Sequence, residues 1–180
     1  MADAPVLETE RLLLRPWRTD DFERYFQLMG DADAARYIGG GTPRAVVWRR
    51  FLQMPGAWSL QGFGMFALEE KASGRWVGQA GPWQPDGWPG TEVGYALHPD
   101  SWGKGYATEA SARAIDWAFD TLGWDEVIQC IDAGNTASKA VSARLGARFR
   151  QRLDAVPPFD GAVEIWGQTR DQWRARSRPS

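Results

Sequence analysis

Residues 92–110 read Glu-Val-Gly-Tyr-Ala-Leu-His-Pro-Asp-Ser-Trp-Gly-Lys-Gly-Tyr-Ala-Thr-Glu-Ala, and this stretch decides the fold. Its first part, Thr91–His98, is an apolar run and predicts a strand. A short turn follows, then a loop in which Gly103 and Gly105 flank Lys104. An alanine-rich helix is expected from about Lys104 to Leu122, with Ala110, Ala114, Trp117 and Ala118 on its core face and Gly123 as its stop. A loop of this kind at a helix start aims several unpaired N–H groups at one point, where the helix dipole favours negative charge. The stretch is therefore expected to hold a phosphate-bearing ligand.

Working outward, Arg11–Arg15 is a short apolar strand closed by Pro16. Thr19-Asp20-Asp21 opens a helix in which Phe22, Tyr25, Phe26 and Met29 recur at helical spacing, and Gly30 suits its end. Gly39–Gly41 is a flexible loop, and Thr42-Pro43 opens a second helix to about Met54. Gly62–Glu69 and Arg75–Gly81 read as strands joined by a hairpin turn at Lys71–Gly74, and Pro82–Gly90 as a loop rich in Pro, Gly and Trp. Downstream come a strand at Glu126–Asp132, a helix at Thr136–Leu145 ended by Gly146, and strands at Ala147–Leu153 and Ala162–Thr169. Antiparallel strands ahead of a crossover helix predict a mixed sheet of α/β (α+β) class. One domain is expected over residues 1–180, with a core from about 8 to 170 and a frayed polar tail.

Composition narrows the function. The net charge is −2 and the basic residues are scattered, so a nucleic-acid partner is not expected. A mildly acidic chain suits a cationic substrate such as an amine. The single cysteine, Cys130, excludes an internal disulfide and a cysteine-rich metal site, and no metal is expected. Cys130 lies in an apolar run and reads as a core residue. With no signal pattern and no apolar run of the ~20 residues that a membrane span needs, no membrane partner is expected and a cytoplasmic location is the default. Tryptophans in loop-like segments, such as Trp83, Trp88 and Trp102, are candidates to wall a pocket.

Two common phosphate loops fail on spacing. A P-loop needs Ser or Thr after its lysine, and Gly105 stands there. The dinucleotide fingerprint fits Gly103 and Gly105, but its third glycine is replaced by Thr108. Trp102-Gly-Lys-Gly-Tyr-Ala107 instead resembles the Gln/Arg-x-x-Gly-x-Gly/Ala loop of the Gcn5-related N-acetyltransferase (GNAT) superfamily. Glu92–Pro99 is similar to that family's cofactor strand, and Asn135-x-x-Ser138 with Leu145-Gly146 to its fifth-strand and fourth-helix signature. Thr9–Arg15 with Asp20-Asp21 resembles the branch of Rim-type ribosomal-protein N-terminal acetyltransferases. Trp102 departs from the pattern at a position usually held by Gln or Arg.

The resemblance implies a GNAT fold: a mostly antiparallel seven-stranded sheet flanked by about four helices, with its fourth and fifth strands splayed around the cofactor. It implies acetyl-coenzyme A as donor and a primary amine as acceptor, on a protein N-terminus or a small molecule, attacking the thioester directly. Backbone amides of Gly103, Lys104, Gly105, Tyr106, Ala107 and Thr108 are the expected pyrophosphate seat, and the backbone of Tyr95, Ala96, Leu97 and His98 the expected edge for the pantetheine arm. Glu92 matches a catalytic glutamate, with a solvated strand-end charge as the alternative. His98, the sole histidine, is expected to be structural. The tyrosine that many members use to protonate the thiolate is replaced by Ser142, and Rim-type relatives present a hydroxyl where Ser138 stands. Ser138 is the expected donor and Ser142 the alternate. Asn135 is expected to bind the cofactor amide or a water, or else to cap the helix. Tyr37, Trp83 and Trp88 are candidates for the acceptor side, with Asp31, Asp33 and Asp86 to draw a cation. A homodimer through the late strands suits the fold. The alternative function is a cofactor-binding or regulatory module that retains the fold with little turnover.

Overall fold

A computed structural model describes residues 4–157 and 161–176. Its strands are β1 (Leu7–Glu8), β2 (Leu12–Arg15), β3 (Phe66–Glu70), β4 (Trp76–Trp83), β5 (Glu92–Leu97), β6 (Glu126–Asp132), β7 (Arg148–Leu153) and β8 (Val163–Thr169). Its α-helices are α1 (Phe22–Met29), α2 (Arg44–Gln61), α3 (Tyr106–Thr121), α4 (Thr136–Arg144) and α5 (Arg170–Ala175). The strands form one sheet in the order β1-β2-β3-β4-β5-β6-β8-β7. Every neighbouring pair is antiparallel except β5 and β6, which run parallel and share one register pair, Glu92 with Ile128.

Alternation along the strands divides the core into two layers. Leu12, Leu14, Phe66, Leu68, Val77 and Val93 face α3, where Ala110, Ala114, Ile115 and Ala118 meet them fully buried. The small alanines let α3 approach the sheet closely. Ala67, Trp76 and Ala96, on the other face, pack with Tyr25, Phe51 and Val47 of α1 and α2. Both faces of β4 are covered, which suits its near-continuous burial. Between β2 and α1, Arg15 donates to both carboxylate oxygens of the buried Asp21, at 2.9 and 2.7 Å, and to Glu69 at 2.6 Å.

The architecture is the expected mixed sheet, with eight strands rather than seven and five α-helices rather than four among the described residues. The added strand is the two-residue β1, which pairs Leu7 with Leu14. Helix α2 runs past Pro55 to Gln61, where Gly62 caps it at φ 77°. A proline inside a helix costs about 3 kcal/mol, but Phe51, Met54 and Trp58 around it are each buried, Phe51 among Trp17, Phe22 and Tyr25 and Trp58, at 4% exposure, against Phe66 and Trp117. That packing outweighs the lost hydrogen bond. Strand β4 continues through Pro82 to Trp83, inside the expected loop. The expected frayed tail holds α5, started by a Thr169–Gln172 capping box and docked by Trp173, whose indole donates to Asp116 at 2.7 Å. Residues 177–180 of that tail lie outside the described residues.

Candidate active site

The parallel pair opens as it leaves Glu92 and Ile128. The Ile128 amide donates to the Thr91 carbonyl at 2.9 Å. Two residues on, the Cys130 amide points the same way but meets no β5 backbone; it donates instead to Glu92 Oε1 at 3.1 Å. A side chain therefore fills the place of a strand partner at the point of divergence. Glu92 Oε2 accepts from the indole N–H of Trp88 at 2.6 Å. The carboxylate is 7% exposed, and burial pushes its pKa up to about 7 against the pull of these donors. Burial and the Glu92 charge raise the Cys130 thiol well above its usual range, so it is no nucleophile.

Farther into the opening, Tyr95 Oη and Ser138 Oγ are 2.9 Å apart, joining β5 to the first turn of α4. Ser138 is half-buried, whereas Ser142 is 1% exposed on the inner face of α4. Asn135 caps α4: its side-chain oxygen accepts from the Ser138 amide at 3.1 Å. The Tyr95 side chain belongs to this cluster as much as its backbone does, which sequence reasoning missed. Its signal was the period of two that places residues 93, 95 and 97 on one side of the strand.

Main-chain groups alternate in the same way. The Thr91 carbonyl serves β6, and the His98 amide donates to Val77 on the β4 side at 2.9 Å. Tyr95 and Leu97 therefore turn their main-chain groups toward the opening, whereas Ala96 and His98 turn theirs toward β4. The edge expected over four residues narrows to two. The Leu97 carbonyl is already taken by the indole N–H of Trp102 at 2.9 Å. Trp102, the residue that departs from the loop pattern, thus fastens the loop to the end of β5 while its ring is 53% exposed.

His98 Nδ1 lies 2.9 Å from Asp100, whose carboxylate also binds Arg24. Burial, aided by the Arg24 charge, holds the His98 pKa below its ordinary value. The residue braces the turn after β5.

The loop itself is built for close approach. Gly103 and Gly105 adopt φ 74° and 82°, the left-handed region that favours glycine. Among the described residues, the amides of Gly103, Lys104, Gly105, Tyr106, Ala107 and Thr108 donate to no protein acceptor; the first helical bond across this start is Glu109 to Gly105 at 3.1 Å. Arg11 holds the loop from the side, donating to the Lys104 carbonyl at 2.9 Å and to Glu109 at 2.7 Å, with its guanidinium 4.7 Å above the Tyr106 ring. The Tyr106 hydroxyl donates to Glu70 at 2.5 Å, so its side chain points away from the exposed amides.

Where the acceptor is expected, Trp88 and Cys130 pack with Ile128, Val156, Val163, Ile165 and Leu153 in an apolar layer beside Glu92. Tyr37 donates to the Gly134 carbonyl at 3.3 Å and links the 30–43 segment to the turn before α4. Asp31 caps its own turn, Asp33 pairs with Arg36, and Asp86 is exposed.

Fold and loop place the protein among the acyltransferases. The Acetyltransferase (GNAT) domain model matches residues 11–148, and the chain belongs to that family. An Aspergillus fumigatus protein named FsC-acetyl coenzyme A-N(2)-transacetylase is 31% identical over 191 residues, spanning 98% of this chain and 81% of that one. The Agrobacterium tumefaciens acetyltransferase structure is 28% identical at a TM-score of 0.83, over 93% of this chain and 96% of that one. The ribosomal-protein-S5-alanine acetyltransferase of Vibrio fischeri shares the fold at a TM-score of 0.73 and 20% identity, over 98% of this chain and 100% of that one.

Proposed function

We propose that the protein is an acetyl-coenzyme A-dependent N-acetyltransferase of the Rim-type branch, acting on a primary amine of a protein N-terminus or a small molecule. The observation that carries the proposal is the opening between β5 and β6, with unpaired loop amides at one end and the buried Glu92 carboxylate at the other. The residues fit the donor. Six open amides and two left-handed glycines suit a pyrophosphate, and the gap-facing backbone of Tyr95 with the Leu97 amide suits an extended amide-rich arm. The name of the Aspergillus relative, an acetyl coenzyme A transacetylase acting at N(2), supports the same donor and a nitrogen acceptor.

When bound, acetyl-coenzyme A supplies an acetyl thioester. The chain's own residues then move protons. Glu92, with a pKa of about 7, is partly ionised at neutral pH and accepts a proton from the acceptor nitrogen, directly or through water. That nitrogen forms the new C–N bond as the C–S bond breaks. The Ser138 hydroxyl would give its proton toward the leaving sulfur as it takes one back along its hydrogen bond from Tyr95, which orients it and regains its own proton from solvent. Asn135 acts beneath them, fixing the first turn of α4.

Coenzyme A release, followed with acetyl-coenzyme A and a panel of small amines and N-terminal peptides, tests the proposal. Turnover that falls strongly in Glu92→Gln supports it. Tight binding of acetyl-coenzyme A without turnover on any amine would instead identify a binding or regulatory module.

A further inference from the structure

The carboxylate of Glu92 depends on a residue from outside its own strand. Trp88 reaches it from the 84–91 segment between β4 and β5, and that segment is firmly set. The Trp88 amide closes a turn on the Pro85 carbonyl at 3.0 Å, with Gly87 at φ 79°. The Thr91 hydroxyl ties the far end to the Glu126 carbonyl of β6 at 2.7 Å. A Cβ on Gly90 would stand 3.0 Å from Ile128 Cδ1, so the segment lies directly on β6. The outcome is an indole N–H delivered at 2.6 Å to Glu92 Oε2, on the side of the carboxylate opposite the Cys130 amide.

We propose that Trp88 is the positioning residue of Glu92, and that its indole N–H holds the carboxylate in its working orientation and favours the ionised form. This rests on the reading of Glu92 as the base. Among the described residues the carboxylate meets no cation. Its polar surroundings are the Trp88 indole and the Cys130 amide and thiol, within an apolar layer of Ile128, Val163 and Ile165. Three donated hydrogen bonds, from the Cys130 amide, the Trp88 indole and the Cys130 thiol, are therefore what opposes burial, and a hydrogen bond to a charged group is the stronger kind. Removing one shifts the balance toward the neutral acid. The base is then present in its active form only at higher pH.

The test reads both partners. In 15N-labelled wild-type protein, the Trp88 indole N–H resonance, assigned by its absence in Trp88→Phe, should move with pH around the Glu92 midpoint of about 7, and stay still in Glu92→Gln. A flat Trp88 resonance in the wild type would overturn the proposal, and this measurement does not depend on any variant being active. In Trp88→Phe, the Glu92 carboxyl 13C titration and the acid limb of kcat/KM should both move up by about one to two pH units. Activity should recover at high pH. An equal loss at every pH, with the titration unmoved, would mean that Trp88 only packs. A protein that acetylates no amine yet shows the coupled titration would keep the Trp88–Glu92 link and lose the enzymatic reading. Turnover with a flat indole resonance would do the reverse.

Discussion

Tyr95 Oη and Ser138 Oγ stand 2.9 Å apart across the opening between β5 and β6, so that a strand and a helix joined by no backbone bond at this point share one hydrogen bond. Burial raises the Tyr95 pKa while its bond to Ser138 lowers it, and both groups remain neutral donors at physiological pH. Ser138 lies one helical turn before Ser142, the position expected to match the family's helix tyrosine.

If Tyr95 acts through Ser138, the two substitutions are not additive. Ser138→Ala should lower kcat by about 100-fold, at the lower end of the range of general acid catalysis, while leaving coenzyme A affinity nearly unchanged. Tyr95→Phe should cost less, and the double variant no more than Ser138→Ala alone. Steady-state kinetics on the four proteins decide this; independent, multiplicative losses would separate the two residues.

Gly105→Asp tests the anion seat. At φ 82° a side chain is strained by about 1–2 kcal/mol, and a carboxylate beside the open amides repels phosphate. Coenzyme A affinity should fall at least about tenfold by calorimetry, the equivalent of about 1.4 kcal/mol, while the strain lowers the melting temperature by only about 2–8 °C and leaves the protein folded. Unchanged affinity would move the seat elsewhere.

The buried Glu92 makes stability depend on pH with a definite sign. Its pKa of about 7 lies above the unfolded value, so between the two the native state holds a proton that the unfolded chain has released. Stability is full below the ordinary carboxylate range and falls as pH rises to about 7. Glu92→Gln cannot ionise and lacks this slope. Relative to wild type it should gain about 3 kcal/mol across that interval, seen as melting curves that converge in acid and diverge at neutral pH. Parallel curves would show that Glu92 is not held neutral.

Trp173 anchors α5 against α3 at 4% exposure. Trp173→Ala should cost about 3–5 kcal/mol in a denaturant titration, through the lost packing and the lost indole–Asp116 hydrogen bond. A loss below about 1 kcal/mol would mean that α5 contributes little to the fold.

Much of the site was legible because it is local. The glycines of the loop announce a left-handed backbone, and Asn135 with Ser138 announces a helix start; both are matters of short-range sterics and hydrogen bonding. Where local signals competed with packing they misled. Pro55 reads as a helix end, yet Trp58 and Phe51 carry α2 through it. The Thr169-x-x-Gln172 capping box was present in a segment whose polarity reads as a tail. Trp102 reads as a departure from the loop pattern, and only its distance to the Leu97 carbonyl reveals an anchor.

The amino-acid sequence by itself determined the order of the strands and helices other than β1 and α5, the family and the shape of the glycine loop, since each follows from motifs whose residues lie within one or two turns of each other. The tertiary structure decided which groups meet across the opening: Glu92 with Cys130, 38 positions away, and Tyr95 with Ser138, 43 positions away. It also decided the proton affinity of Glu92. That quantity is set by how much water and how many donors surround the carboxylate, and packing between distant segments fixes both.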